Sequence, residues 1–187
     1  LQRLANCGLK NITIACDAIP GAKGDPAMNA AGMAYGARLA SYRFDKYRTT
    51  LKPREKPSVT AVSVLAQGPA AARRHFKALD AIADGVFMTR DLVSEPANVL
   101  YPDSMAQQCK SLSKLGVKVE VLNEARMDKL GMGALLGVGQ GSPRESRMVV
   151  MHWQGAGAKS EPVAFVGKGV TFDTGGISLK PGPGMEM

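Results

Sequence analysis

An α/β fold is the expectation from this sequence, and three features carry it. Short β-branched runs recur along the chain, stretches of 3.6-residue apolar periodicity lie between them, and glycines and prolines concentrate in the last third, where strand-end loops are expected. Strands and helices that alternate in this way imply a layered α/β sheet.

The first strand is expected at residues 11–16, where Asn11-Ile-Thr-Ile-Ala-Cys16 is short and β-branched, with turn chemistry over residues 17–25. From Pro26 a small-residue helix carrying Met28, Met33, Leu39 and Tyr42 is expected to end before Pro53. Residues 58–65 favour a second strand, and Gly68-Pro69 breaks the chain after it. A long helix follows over roughly residues 70–92, with Phe76, Leu79, Ile82, Ala83, Val86 and Phe87 at helical spacing. Two prolines, Pro96 and Pro102, interrupt it, which places a domain boundary near residues 80–95.

Asp103 is then the expected N-cap of a helix over residues 104–115. After Gly116, residues 117–122 alternate as a strand, and Asn123 caps a short helix over 124–130 that Gly131 closes. Residues 134–139, 147–153 and 162–167 are expected to form three successive strands, with Gly137-Val-Gly-Gln-Gly141 as a turn between two of them.

Composition narrows the class. Of the 187 residues, 45% are hydrophobic and 21% charged, so a globular core is affordable and a disordered chain is excluded. No apolar run approaches the roughly 18 residues needed to cross a bilayer. Leu1-Gln2-Arg3 has neither an initiating Met nor a signal pattern, so an interior point of a longer chain is expected there. Cys7, Cys16 and Cys109 have no metal-ligand spacing and suit idle thiols in a reducing cytoplasm. The net charge is +8, and residues 36–56 hold seven Lys or Arg against two acids. Such a patch attracts phosphates, although a solvated helix end accounts for it without any nucleic-acid motif.

The chemistry-bearing stretch is Val166-Gly-Lys-Gly-Val-Thr-Phe-Asp-Thr-Gly-Gly-Ile-Ser-Leu-Lys-Pro181. It spaces Lys168, Asp173 and Lys180 among glycines beyond an apolar run, and ligands gather at the carboxyl ends of strands in open α/β sheets. Gly169, Gly175 and Gly176 admit backbone conformations that other residues resist. A lysine and an aspartate converging there form either an ion pair, the commoner case, or part of a cation site. For the second, the lysine must shed its proton, which burial and a nearby cation both favour.

Rival motifs fail on their own residues. A P-loop around Lys168 would need Gly where Pro162 stands and Ser or Thr where Gly169 stands. Residues 137–141 lack the Gly-x-Gly-x-x-Gly spacing of a dinucleotide site, and no serine sits in Gly-x-Ser-x-Gly. His75 and His152 have no second ligand at helical spacing, which leaves a His-rich zinc site without support.

The sixteen positions 166–181 resemble the active-site opening of the leucyl (cytosol) aminopeptidase family. Thr89-Arg-Asp-Leu-Val-Ser-Glu-Pro-Ala-Asn-Val-Leu-Tyr-Pro102 is similar to the start of that family's catalytic domain, and Leu130-Gly-Met-Gly-Ala-Leu-Leu-Gly-Val-Gly-Gln-Gly-Ser142 to its glycine-rich segment. Residues 1–79 fit more loosely, through features such as Tyr42-Arg-Phe-Asp-Lys-Tyr47.

The resemblance implies a partial, macro-like α/β N-terminal domain with its linker helix over residues 1–85. It implies the first part of a mixed-sheet, three-layer α/β/α metallopeptidase domain over residues 86–187. It also implies a leucine-preferring metalloexopeptidase that acts on peptides with a free N-terminus, is cytoplasmic and forms a homohexamer. Two divalent ions, Mn2+ or Zn2+, are implied, with bicarbonate in the full-length enzyme. Lys168 would ligate one metal, Asp173 would bridge both, and Lys180 would be the catalytic lysine. The family's further acidic ligands and its arginine are expected beyond Met187, so the chain alone is expected to be inactive. DNA binding or an assembly role through the basic region 38–56 is the alternative.

Overall fold

The computed structural model describes residues 4–16, 24–156, 160–183 and 185. The expected turn over residues 17–25 therefore lies mostly outside the described residues. The chain divides into two compact units, Leu1–Ser94 and Glu95–Met187.

In the first unit, strands β1 (Asn11–Ala15) and β2 (Ala61–Leu65) pair in parallel, with Asn11 opposite Ala61 and Ala15 opposite Leu65. A parallel pair needs a long crossover, and helix α1 (Pro26–Ala40) lies within it. Asp25 starts α1 by accepting a hydrogen bond from the Ala27 amide at 2.9 Å, while Pro26 occupies a position whose missing N–H costs nothing. The helix stops at Ala40, well before Pro53, because the Ser41 hydroxyl and amide both donate to the Arg38 carbonyl and close the last turn.

Helix α2 (Pro69–Ser94) runs 26 residues and packs along α1. Ala27, Ala30 and Ala31 of α1 and Ala83 of α2 are buried, so small side chains let helix backbones approach closely. Around them, Arg38 reaches Asp80 at 2.9 Å and also pairs with Asp84, the Tyr42 hydroxyl donates to Asp91 at 2.9 Å, and Arg90 donates to the Leu39 carbonyl at 3.0 Å. Tyr42 also lies against the Phe87 ring.

In the second unit, helix α3 (Pro102–Ser111) tightens into a 3-10 turn over Leu112–Leu115, and Gly116 ends it with φ +86°. The helix begins two residues earlier than expected. Tyr101 is the N-cap residue, its amide donating to the Ser104 hydroxyl at 2.9 Å, and Asp103 lies in the first turn instead, 3.2 Å from Arg147. Strand β3 (Lys118–Leu122) pairs antiparallel with β4 (Met148–His152), Lys118 opposite His152 and Leu122 opposite Met148. Between them lies helix α4 (Glu124–Lys129), capped by Asn123, whose side chain accepts from the Arg126 amide at 3.0 Å. Helix α3 packs on both strands, and the buried core of this unit is Ala106, Leu122 and Met127.

Two expected strands are not strands. Residues Gly133–Gly139 form helix α5, with the Leu136 amide donating to the Met132 carbonyl at 3.1 Å. A six-residue apolar run cannot reveal its period, and Ala134, Leu135 and Leu136 are strong helix formers. Gly137 and Gly139 accordingly sit on a helix and not in a turn between strands. Residues 162–167 pair with no strand, and Phe165 and Val166 are 94% and 99% exposed. Strand propensity measures the fit of a side chain against neighbours, and here the described residues supply none. The fold is mixed α/β, built on two separate two-stranded sheets and not on one continuous sheet among the described residues.

Candidate functional site

Asp173 organises the glycine-rich loop through both of its carboxylate oxygens. Its Oδ1 accepts a hydrogen bond from the Gly175 amide at 2.8 Å, closing a local Asx-type turn. Its Oδ2 lies 3.1 Å from Lys180 Nζ, and the same ammonium donates to the Asp173 carbonyl at 3.1 Å. The Lys180 amide completes the ring by donating to the Thr174 carbonyl at 2.8 Å. Residues 173–180 thus close on themselves through one ion pair and three further hydrogen bonds.

Gly175 makes this closure feasible. Its φ is +100°, and a Cβ there would fall on the Ser178 carbonyl oxygen and 3.0 Å from the Lys180 nitrogen. Gly169 faces helix α3, and a Cβ there would meet the Met105 sulfur and methyl at 3.5 and 3.4 Å, an ordinary van der Waals contact. Sequence reasoning did not single out Met105, because nothing in the spacing of an α3 residue announces a contact with a loop some sixty positions away.

Electrostatics sharpen the role of Asp173. The Gly175 amide, followed by the Lys180 ammonium and more weakly the charge of Lys168, holds its carboxyl below the usual carboxylate range. It is an anion at neutral pH, in a half-exposed position where it pairs with Lys180. Of the three residues singled out from the sequence, the structure brings Asp173 and Lys180 into direct contact, while Lys168 enters through its field on Asp173. Among the described residues, no three His, Cys, Asp or Glu side chains gather into a metal-holding group. His75 lies 3.6 Å from Asp25 in the first unit, and His152 stands opposite Lys118 in β4.

The basic stretch 36–56 is partly neutralised by its own surroundings. Arg38 is held by Asp80 and Asp84, while Arg43 and Arg48 lie 2.6 and 3.8 Å from Asp45. Among the described residues, no helix is long and apolar enough to cross a membrane.

The sequence profile of the "Cytosol aminopeptidase family, catalytic domain" matches residues 87–187, the region that contains this loop. The chain belongs to the cytosol aminopeptidase family. A probable cytosol aminopeptidase of Caulobacter vibrioides is 58% identical over 164 residues, covering 87% of this chain and 33% of that protein. One of Brucella anthropi is 55% identical over 160 residues, covering 84% and 32%. Among solved structures, the bottromycin maturation enzyme BotP in complex with Mn superposes with a TM-score of 0.74 at 31% identity, over 94% of this chain and 35% of that one. A tomato leucine aminopeptidase mutant superposes with a TM-score of 0.68 at 24% identity, over 79% and 30%, a likeness of fold. This cytosol aminopeptidase family chain spans about a third of the length of the curated relatives it matches. The resemblance of residues 166–181 to the family is borne out by these matches.

Proposed function

We propose that this chain is part of a divalent-metal-dependent aminopeptidase that releases N-terminal amino acids, leucine preferred, from peptides. Residues 1–85 are then the later part of an N-terminal domain with its linker helix, and residues 86–187 the opening part of the catalytic domain. The observation that supports the reading most is the Asp173 carboxylate, anionic at neutral pH and fixed by a glycine turn inside the family-matched region.

The donor chemistry fits a divalent ion in part. Asp173 offers the hard oxygen that Mn2+ or Zn2+ prefers, and Lys168 offers an amine once deprotonated. The Mn-bound state of BotP favours Mn2+. Two such ions, when bound, would polarise the scissile carbonyl and acidify water. The chain's own contribution would be threefold: Asp173 would offer its carboxylate to both ions, Lys168 would offer its amine to one of them, and the Lys180 ammonium would steady negative charge developing on the carbonyl oxygen. In the full-length hexameric, cytoplasmic enzyme, bicarbonate would assist proton handling.

Two donor side chains are too few to hold a dinuclear site, so the 187-residue chain by itself is inactive in this reading. Leucine p-nitroanilide with Mn2+ tests both parts. The protein encoded by the whole reading frame is expected to turn over and to lose activity with a chelator, and the 187-residue chain is expected to do nothing. A metal-loaded full-length protein without aminopeptidase activity would overturn the assignment, and turnover by the chain alone would overturn its inactivity.

The alternative, a DNA-binding or assembly role through residues 38–56, has weaker support, because Arg38, Arg43 and Arg48 spend their charge on neighbouring acids. A gel shift that weakens steeply with rising salt would favour it.

A further inference from the structure

Helix α3 meets the segment that carries Lys168 where Met105 lies against Gly169. We propose that Met105 is a positioning residue for Lys168: its thioether is the support against which the Gly169 backbone rests, so that helix α3 sets where the lysine leaves the chain. The inference rests on the reading that residues 166–181 open an aminopeptidase active site, and it needs no bound ion.

Met105 stands on fixed backbone. Its amide donates to the Tyr101 carbonyl at 2.9 Å, the first hydrogen bond of α3, and the Tyr101 amide donates in turn to the Ser104 hydroxyl. Asp103 ties the same helical turn to Arg147, whose side chain is only 17% exposed, and the neighbouring Ala106 is buried.

The segment 162–172 is the reverse. All of its residues except Thr171 are exposed, and among the described residues no hydrogen bond or ion pair ties them to the rest of the unit. The two glycines that flank Lys168 differ in one respect. A Cβ on Gly167 would meet nothing within 4 Å, whereas a Cβ on Gly169 would have the Met105 sulfur and methyl within that distance. Lys168 thus stands between an open glycine and a supported one, and the support is a thioether whose unbranched, polarisable chain moulds to bare backbone. Truncating Met105 removes the support without touching the lysine.

Two readouts test the proposal. In the 187-residue chain with methionine methyls labelled with carbon-13, a nuclear Overhauser contact is expected between the Met105 methyl and the Gly169 α protons, and its absence overturns the proposal. In the protein encoded by the whole reading frame, Met105→Ala is expected to lower kcat for leucine p-nitroanilide about tenfold with KM nearly unchanged, because a misplacement of roughly 1 Å can cost about a hundredfold. Met105→Leu, of similar volume, is expected to bring kcat back to within about twofold of the unmodified protein. Rates are compared well below the thermal midpoint of each variant, so that loss of fold is not counted as loss of rate. If Met105→Ala does not fold, Met105→Val, which shortens the side chain with less loss of volume, takes its place. An unchanged kcat in the shortened variant, or a change confined to KM, overturns the positioning role and leaves the aminopeptidase reading standing. Absence of turnover in the unmodified protein overturns that reading and the positioning role with it.

Discussion

Helices α1 and α2 and the glycine-rich segment 160–183 solve opposite problems with the same chain. Along α1 and α2, alanines vanish from solvent, and the charges of Arg38 and Arg90 and the hydroxyl of Tyr42 find partners. In the glycine-rich segment the polar residues Asp173 and Lys180 pair with each other, whereas Phe165, Val166 and Ile177 remain in water. The first region is closed by packing, and residues 173–180 of the second by one ion pair and local hydrogen bonds. A segment closed only locally keeps its carboxylate and ammonium accessible.

Truncating large apolar side chains in the two kinds of environment breaks the comparison most directly. Met127 in α4 is wholly buried and is the largest such side chain among the described residues, so Met127→Ala should cost about 2–5 kcal/mol in urea denaturation. Phe165→Ala, at 94% exposure, should change the same transition by no more than about 0.5 kcal/mol. Equal losses at the two positions would mean that the glycine-rich segment is packed after all.

Overpacking α2 probes the other side. Ala83 is fully buried, and Ala83→Leu should destabilise the first unit by about 1–3 kcal/mol, measured by the same denaturation followed through Tyr42. A smaller effect sharpens the view of local caps: Asn123→Ala removes the acceptor for the Arg126 amide and should cost about 1 kcal/mol.

The last prediction is electrostatic. Because the folded loop depresses the Asp173 carboxyl, its stabilisation is fully present above the ordinary carboxylate range and disappears as pH falls through the depressed value. As pH falls through that depressed value the Lys180 amide should lose protection, read as its exchange rate relative to the intrinsic rate at the same pH, while the α1 and α2 amides hold. Simultaneous loosening of both regions would show that the loop is not an independent element.

Much of this protein was legible in its residues. Pro26 and Asn123 announced two helix starts through proline and side-chain oxygen chemistry, which act over three or four positions and need no tertiary context. Alternating Val119 and Val121 announced β3, and the run 166–181 announced the family. The two missed strands share one cause. Whether the apolar run around Leu135 and Leu136 coils or extends, and whether Val163 and Phe165 find a strand to pair with, depends on partners distant in sequence.

The sequence by itself determined the cap at Asn123, the periodic helices and the family, and it marked Lys168, Asp173 and Lys180 as candidates. Tertiary structure alone decided that α1 and α2 lock through Arg38 and two aspartates, that Met105 lies against Gly169, and that Lys180 closes on Asp173. Local rules act through bonds and near neighbours, whereas an ion pair or a packed contact exists only once the folded backbone has brought its two partners within a few ångströms.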